Sequence, residues 1–386
     1  MDTGTDTSAD TRAPRIAIIG AGIGGLTAAI ALARDGADVT IHEQAGKLSW
    51  VGAAINLAPN AVMALDGLGL GGAIRRTAWA PTLRLSRTWD TGEVTSRVEL
   101  AEAARLRYGA PMITLHRAEL VGALAAAFPA GRIQLGKRLS GFDAGRHEVQ
   151  LDFEDGSHAT CDALIGADGI HSRVRQVLFG KDSPSYTGMV AWRAMVPAAD
   201  VQGTDLAPFV KWWGPTPQLQ LVTFLINRGE DLFVFATLPE AAQDRESWSQ
   251  QGDPSTLRAA MAGFHPEARA VLDAIDGAFR TALYDRDPMP AWSQGRVTLL
   301  GDACHAMTPF MAQGAAMGIE DAVMLSRCLK GVPRDGVAAA LERYQASRLP
   351  RASRVQQTSH GNEWLKASGD ADWVYRHDAW QAPLAG

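Results

Sequence analysis

Cysteine is scarce in this chain. Cys161, Cys304 and Cys328 are its three, far apart and odd in number, with no Cys-x-x-Cys pair and no His/Cys spacing suited to zinc. That removes a disulfide scaffold and a structural metal from consideration. The three read as small buried hydrophobes of a protein kept in a reducing, cytoplasmic setting. Long apolar runs are also missing, since none approaches the roughly 18 residues that cross a membrane. Basic excess is absent: the net charge is −5, with charged residues at 20%, so nucleic acid is not an expected partner. Residues 1–12 are polar and lack a basic-then-apolar pattern, which reads as a disordered start rather than a secretory leader. No internal repeat occurs.

What is present is glycine at three informative places. Arg15-Ile-Ala-Ile-Ile19 is a β-branched run suited to a buried parallel strand. It leads into Gly20-Ala21-Gly22-Ile23-Gly24-Gly25 and then an Ala/Leu/Ile stretch with helical spacing that stops at Gly36. Val39-Thr40-Ile41 is a second strand, ending at Glu43. A strand, a glycine turn, a helix and an acid about twenty residues on form a dinucleotide-binding unit. Gly20 permits the turn, Gly22 admits a pyrophosphate, and Gly25 lets helix and strand pack. Glu43 is placed to accept a hydrogen bond from a ribose hydroxyl. The unit alone does not distinguish FAD from NAD.

Two later segments have the same strand-then-turn form: Asp162 to Gly169, carrying Asp168, and Arg296 to Asp302. Ligands of open α/β sheets sit at such strand ends. After Asp302 come Pro309 and a turn at Gln313-Gly314-Ala315, which opens a helix running to Lys330. Its N-terminus suits a negatively charged group. Read singly, Asp302 is equally a helix cap and Arg117 equally a surface charge.

Together, GAGIGG at 20–25, IGADGIHSRVR at 165–175 and GDACHAMTPFMAQGAAMGIEDA at 301–322 resemble the FAD-dependent single-component aromatic monooxygenases, over nearly the whole chain. Within that family the chain is most similar to the 6-hydroxynicotinate 3-monooxygenase branch, then to the salicylate 1-hydroxylase branch. Tyr108-Gly109, Ile113 to Arg117, Val210-Lys-Trp-Trp213 and Arg351 to Gln357 carry that likeness. The resemblance implies an α/β, para-hydroxybenzoate-hydroxylase-like fold. A Rossmann-like FAD-binding domain at 13–80, 105–182 and 285–345 is expected, with an inserted antiparallel-sheet substrate domain at 81–104 and 183–284. A C-terminal helix and tail would cover 346–386. The resemblance also implies a bound FAD, NADH or NADPH as a visiting reductant, O2, and hydroxylation of a small aromatic through a flavin C4a-hydroperoxide. Arg117 matches a flavin-contacting arginine, and Asp168, Asp302, Pro309, Gly314 and Ala315 fall near the cofactor. His305 reads as packing beneath the flavin. The same motifs would serve a flavin dehydrogenase that inserts no oxygen. A monomer or homodimer is expected.

The expected ring pocket departs from that branch. Asn56, Gln218, Val222 and Phe310 stand where histidines and a tyrosine belong, and Phe209 where a cysteine does. The expectation is therefore a more apolar pocket without a general base, suited to a phenol or hydroxylated heteroaromatic of low charge. Elsewhere, 134–161 reads as a β-meander, Ser255 to Asp276 as a helical stretch, and Arg348, Arg351 and Arg354 as a solvated helix face.

Overall fold

A computed structural model describes residues 13–48, 54–241 and 250–386. The polar start at 1–12 lies outside the described residues. The glycine turn sits at the heart of a six-stranded sheet. Its order is Ser293–Gln294, Val297–Leu299, Ala163–Gly166, Arg15–Ile19, Asp38–His42 and Ile133–Gln134, and all but the first strand pair in parallel. The three motif-bearing strands are thus neighbours, with their carboxyl ends on one edge. Ile133–Gln134 corrects the meander expectation: this short run closes the parallel sheet against Asp38–His42. The antiparallel meander comprises only Leu139–Ala144, Val149–Phe153 and His158–Cys161.

The turn needs its glycines for two different reasons. Gly20 has a φ of +105°, and a Cβ there would lie 2.5 Å from the Ala167 carbonyl oxygen. A Cβ at Gly25 would lie 2.1 Å from the Gly20 oxygen. Both positions forbid a side chain because backbone meets backbone. The helix Ile23–Arg34 then buries Leu26, Ala28, Ala29 and Leu32 against the sheet and the helix Gly314–Leu329.

The second layer is an eight-stranded sheet in the order Gln250–Gly252, Ala278–Asp285, Ser185–Pro197, Asp231–Pro239, Gln220–Ile226, Phe209–Trp213, Leu83–Thr88 and Val94–Glu99. Only Phe209–Trp213 and Leu83–Thr88 pair in parallel. Its outer face is covered by two helices, Pro254–Ala260 and Pro266–Asp273. The single helical stretch expected there is broken because Pro266 restarts a helix at its first turn. The long helix Val337–Gly361 spans both layers and ends at Asn362, which adopts a left-handed φ of 50°.

Arg348 and Arg351 do not belong to a solvated face, whereas Arg354 is exposed. Arg348 is fully buried and pairs with Glu320 at 2.8 Å and Asp321 at 2.7 Å. Arg351 pairs with Glu320 at 2.8 Å, and Arg354 lies over Trp373 at 4.0 Å. The two acids of the Ile319-Glu320-Asp321 segment are therefore the inward partners of the long helix.

Candidate active site

One cavity of about 400 Å3 lies where the two layers meet. Its floor is built from the motif segments: Gly22 and Gly24 from the first, Ala167 and Gly169 from the second, and Gly301, Asp302, Pro309, Gly314 and Ala315 from the third. The floor suits a dinucleotide. A Cβ added at Gly22 would meet nothing within 4 Å, so glycine there leaves open space rather than relieving a clash. Ile23–Arg34 has neither a side-chain N-cap nor an acid in its first turn, and the same holds for Gly314–Leu329. Two uncapped helix N-termini facing one cavity form a cradle for anionic groups. Arg117 lines the same cavity from the start of helix Arg117–Ala127, whose cap is His116 Nδ1 accepting from the Ala118 N–H at 3.2 Å.

Gly20 and Gly25 sit beside the cavity rather than on its wall, and so do Glu43 and Asp168. Glu43 accepts from the Ala21 and Ala45 N–H groups, each at 2.8 Å, and so holds the glycine turn. Asp168 accepts from Ser172 Oγ at 2.5 Å and from the Arg173 N–H at 2.7 Å, capping the helix Arg173–Phe179. Burial raises its carboxyl above the ordinary aspartate value, while these hydrogen bonds act in the other direction.

The roof is one face of the eight-stranded sheet. Side chains alternate along a strand, and the register aligns Phe209 with Arg84, Lys211 with Val222, and Trp213 with Gln220. Val222 aligns in turn with Phe235, and Phe224 with Phe233. Phe209, Val222 and Phe310 line the cavity, with Asn56 on the opposite side from the strand Ala54–Leu57. Phe209 and Phe224 stack at 5.0 Å and an interplanar angle of 7°.

Gln218 is a correction. It precedes the strand and lines a second cavity of about 240 Å3, while Gln220 takes the inward place. Phe310 and Thr308 form the wall common to both cavities. The expected low-charge pocket is a correction too. Arg84, Lys211 and Arg193 all line the roof. Burial, then Arg117, lowers the Arg193 guanidinium to about 10. Period-two alternation was the signal for Lys211 and Gln220: once Phe209 and Val222 face the pocket, so must the residues two places along.

Beneath the floor, His305 Nε2 and Asp321 are joined at 2.6 Å. Cys304, His305 and Asp321 bring three donor atoms within 4.8 Å, but Asp321 also accepts from the Gly301 N–H and from Arg348. This network ties the third motif to the long helix, and burial pushes the Cys304 thiol well up, away from nucleophilic use.

Comparison with known proteins agrees with this geometry. A family described as FAD binding domain matches residues 14–359. The chain is 40% identical over 375 residues to a 6-hydroxynicotinate 3-monooxygenase of Bordetella bronchiseptica, covering 96% of this chain and 97% of the relative. It is 34% identical over 405 residues to a salicylate hydroxylase of Pseudomonas putida, covering 94% and 92%. Among solved structures, Klebsiella pneumoniae HpxO complexed with FAD and uric acid superposes with a TM-score of 0.79 at 29% identity, over 93% of this chain and 90% of that one. No helix among the described residues is long and apolar enough to cross a membrane. The chain belongs to the FAD-binding-domain family and is a FAD-dependent monooxygenase, an oxidoreductase of the aromatic-hydroxylase kind.

Proposed function

We propose that the enzyme hydroxylates a small aromatic or heteroaromatic compound, consuming O2 and NADH or NADPH, inside the shared cavity. One observation carries the reading: the cofactor cradle and an aromatic-lined sheet face enclose the same space. The named relatives act on hydroxylated rings, which supports a phenol-like or hydroxypyridine-like substrate. When bound, FAD supplies two-electron chemistry and the activation of dioxygen. The chain's own residues position and shield.

In this reading Gly20, Gly22 and Gly25 shape the pyrophosphate turn, Glu43 meets the adenosine ribose, and Asp168 fixes the second motif beside it. Arg117, Asp302, Pro309, Gly314 and Ala315 hold the flavin from the third motif and the opposite wall. Phe209, Val222 and Phe310 enclose the ring, Asn56 orients a polar substituent, and Gln218 lies at the neighbouring cavity behind Phe310. Residues 13–80, 105–182 and 285–345 then serve as the flavin domain, and 81–104 with 183–284 as the substrate domain.

The test is a screen of phenols, hydroxypyridines and aromatic acids against the yellow, FAD-loaded protein, reading stimulated NAD(P)H oxidation and product mass. A ring product one oxygen heavier supports the proposal. A dehydrogenated product without added oxygen would replace it with a flavin dehydrogenase. Phe310→Ala should leave reductant oxidation in place but divert it to hydrogen peroxide, because a loosely held ring meets the flavin in poor geometry.

A further inference from the structure

Arg84 and Lys211 have no counter-ion among the described residues. Arg84 is 4% exposed and Lys211 2% exposed, and both face the cavity from adjacent strands. No carboxylate pairs with either among the described residues. Arg84 Nη1 is buried without any hydrogen-bond partner. The Arg84 guanidinium rests only near the rings of Trp364, at 5.4 Å, and Phe209, at 6.0 Å. Lys211 Nζ lies 3.7 Å from the centre of the Trp213 ring and donates a long 3.5 Å contact to Asn362 Oδ1. A buried cation is normally paired. Aromatic faces compensate only part of what burial removes. Two such cations side by side, opening on a cavity, mark a place where the ligand brings the negative charge.

We propose that Arg84 and Lys211 form an anion subsite in the roof of the cavity, and that it takes the carboxylate of a small aromatic acid. The proposal rests on the reading of this cavity as the place where a ring is hydroxylated. The planar guanidinium matches a carboxylate in two-pronged geometry. The Phe209 and Phe224 rings, stacked on each other, line the cavity beside it and suit a flat, apolar remainder of the ligand. The uncapped helix N-termini that suit the cofactor's pyrophosphate belong to the floor, and this pair to the roof.

A measurable consequence separates this subsite from a merely apolar slot. Burial, then Arg84, then Lys366 hold the Lys211 ammonium well below its usual range. The charged and titratable groups around it are Arg84 on one neighbouring strand, Lys366 beyond the long helix, Arg193 along the same sheet, and Asp302 on the floor. Tyr375, beside Arg84, is pushed up to about 12 by burial and stays neutral. An arriving carboxylate favours protonated Lys211, so binding takes up a proton.

The experiment titrates FAD-loaded protein at about pH 8 with benzoate and its monohydroxy derivatives, and with the corresponding amides. Calorimetry in buffers of different ionisation enthalpy reads both affinity and proton uptake. The expected result is at least one acid bound about tenfold or more tighter than its amide, with proton uptake rather than release on binding. Arg84→Met should erase the acid preference. Lys211→Met should weaken it and abolish the proton uptake, with FAD content retained in both. Equal binding of acids and amides, binding of none of the acids, or an acid preference that survives both substitutions overturns the proposal. If either variant fails to fold, the acid–amide comparison on the unaltered holoenzyme decides. Acids that bind yet yield no oxygenated product count against the hydroxylase reading and leave the subsite standing. Oxygenated neutral phenols with no acid preference do the reverse.

Discussion

Two groups of buried cations sit on opposite sides of the same cavity and are built in opposite ways. Behind the floor, Arg348 and Arg351 are matched by Glu320 and Asp321, with ion pairs of 2.7 to 2.8 Å. In the roof, Arg84 and Lys211 are also buried and have no acid partner among the described residues. Burial opposes ionisation in both groups, but only the first carries its compensation within the fold. There, burial acts to raise Glu320 and Asp321, while Arg351 and Arg348 for one, and His305 and Arg348 for the other, bring both carboxyls below their ordinary values. In the roof, burial and neighbouring cations both lower Lys211. Charge satisfied internally holds a structure together. Charge left unsatisfied at a cavity wall waits for something else.

The largest effect should come from breaking the paired group. Arg348→Met leaves Glu320 and Asp321 buried with too little positive charge, and should cost about 3–5 kcal/mol of stability in denaturant unfolding. A loss below about 1 kcal/mol would show that the network is dispensable. Lys211→Met should move the other way. It removes a poorly hosted amine and should stabilise the ligand-free holoenzyme by about 1–2 kcal/mol, read as a raised melting temperature. A comparable destabilisation would place Lys211 among the structural charges.

pH sharpens the same contrast. The depressed carboxyls of Glu320 and Asp321 contribute stability that is present above their unfolded values and lost as pH falls through the folded ones, so the paired group fails in acid, below about pH 4. Lys211 is depressed as well, so its slope has the same sign but lies in a higher window: the unfolded chain binds its proton more readily, and stability rises with pH between the folded and unfolded values. The slope is at most about 1.4 kcal/mol per pH unit. Lys211→Met should flatten that rise above neutrality and leave the acid limb unchanged. The smallest effect belongs to Lys366, half exposed near the Trp213 ring at 5.6 Å. Lys366→Met should strengthen or weaken acid binding by less than about 1 kcal/mol, because solvent screens it.

The floor of the site was legible in the sequence because its parts are backbone requirements. Gly20 and Gly25 are excluded from bearing side chains by main-chain contacts, and such constraints leave fixed spacings. The third motif was legible for the same reason, since Pro309 and Gly314 shape a turn into a helix. The roof was less so. Phe209 and Val222 are candidates in the sequence, but Lys211 stands out only as part of the Val210-Lys-Trp-Trp213 likeness, and Arg84 stands between two leucines with no motif around it. Their inward direction depends on strand register, which long-range pairing fixes. Gln218 was misplaced by two residues because the turn before its strand absorbs them. The inward direction of Arg348 and Arg351 is not legible because their partners, Glu320 and Asp321, lie about thirty residues away and are brought close only by helix packing. The short strand Ile133–Gln134 carries too few residues for periodicity to assign it to either sheet.

The most direct test of the account is the fate of dioxygen. FAD-loaded protein is given NADH or NADPH, isotopically heavy O2 and the panel of hydroxylated aromatic acids, and products are weighed by mass spectrometry. At least one acid should gain a single heavy oxygen on its ring, with reductant consumed in proportion. Reductant oxidised wholly to hydrogen peroxide, with no labelled ring from any acid, phenol or hydroxypyridine, would contradict it.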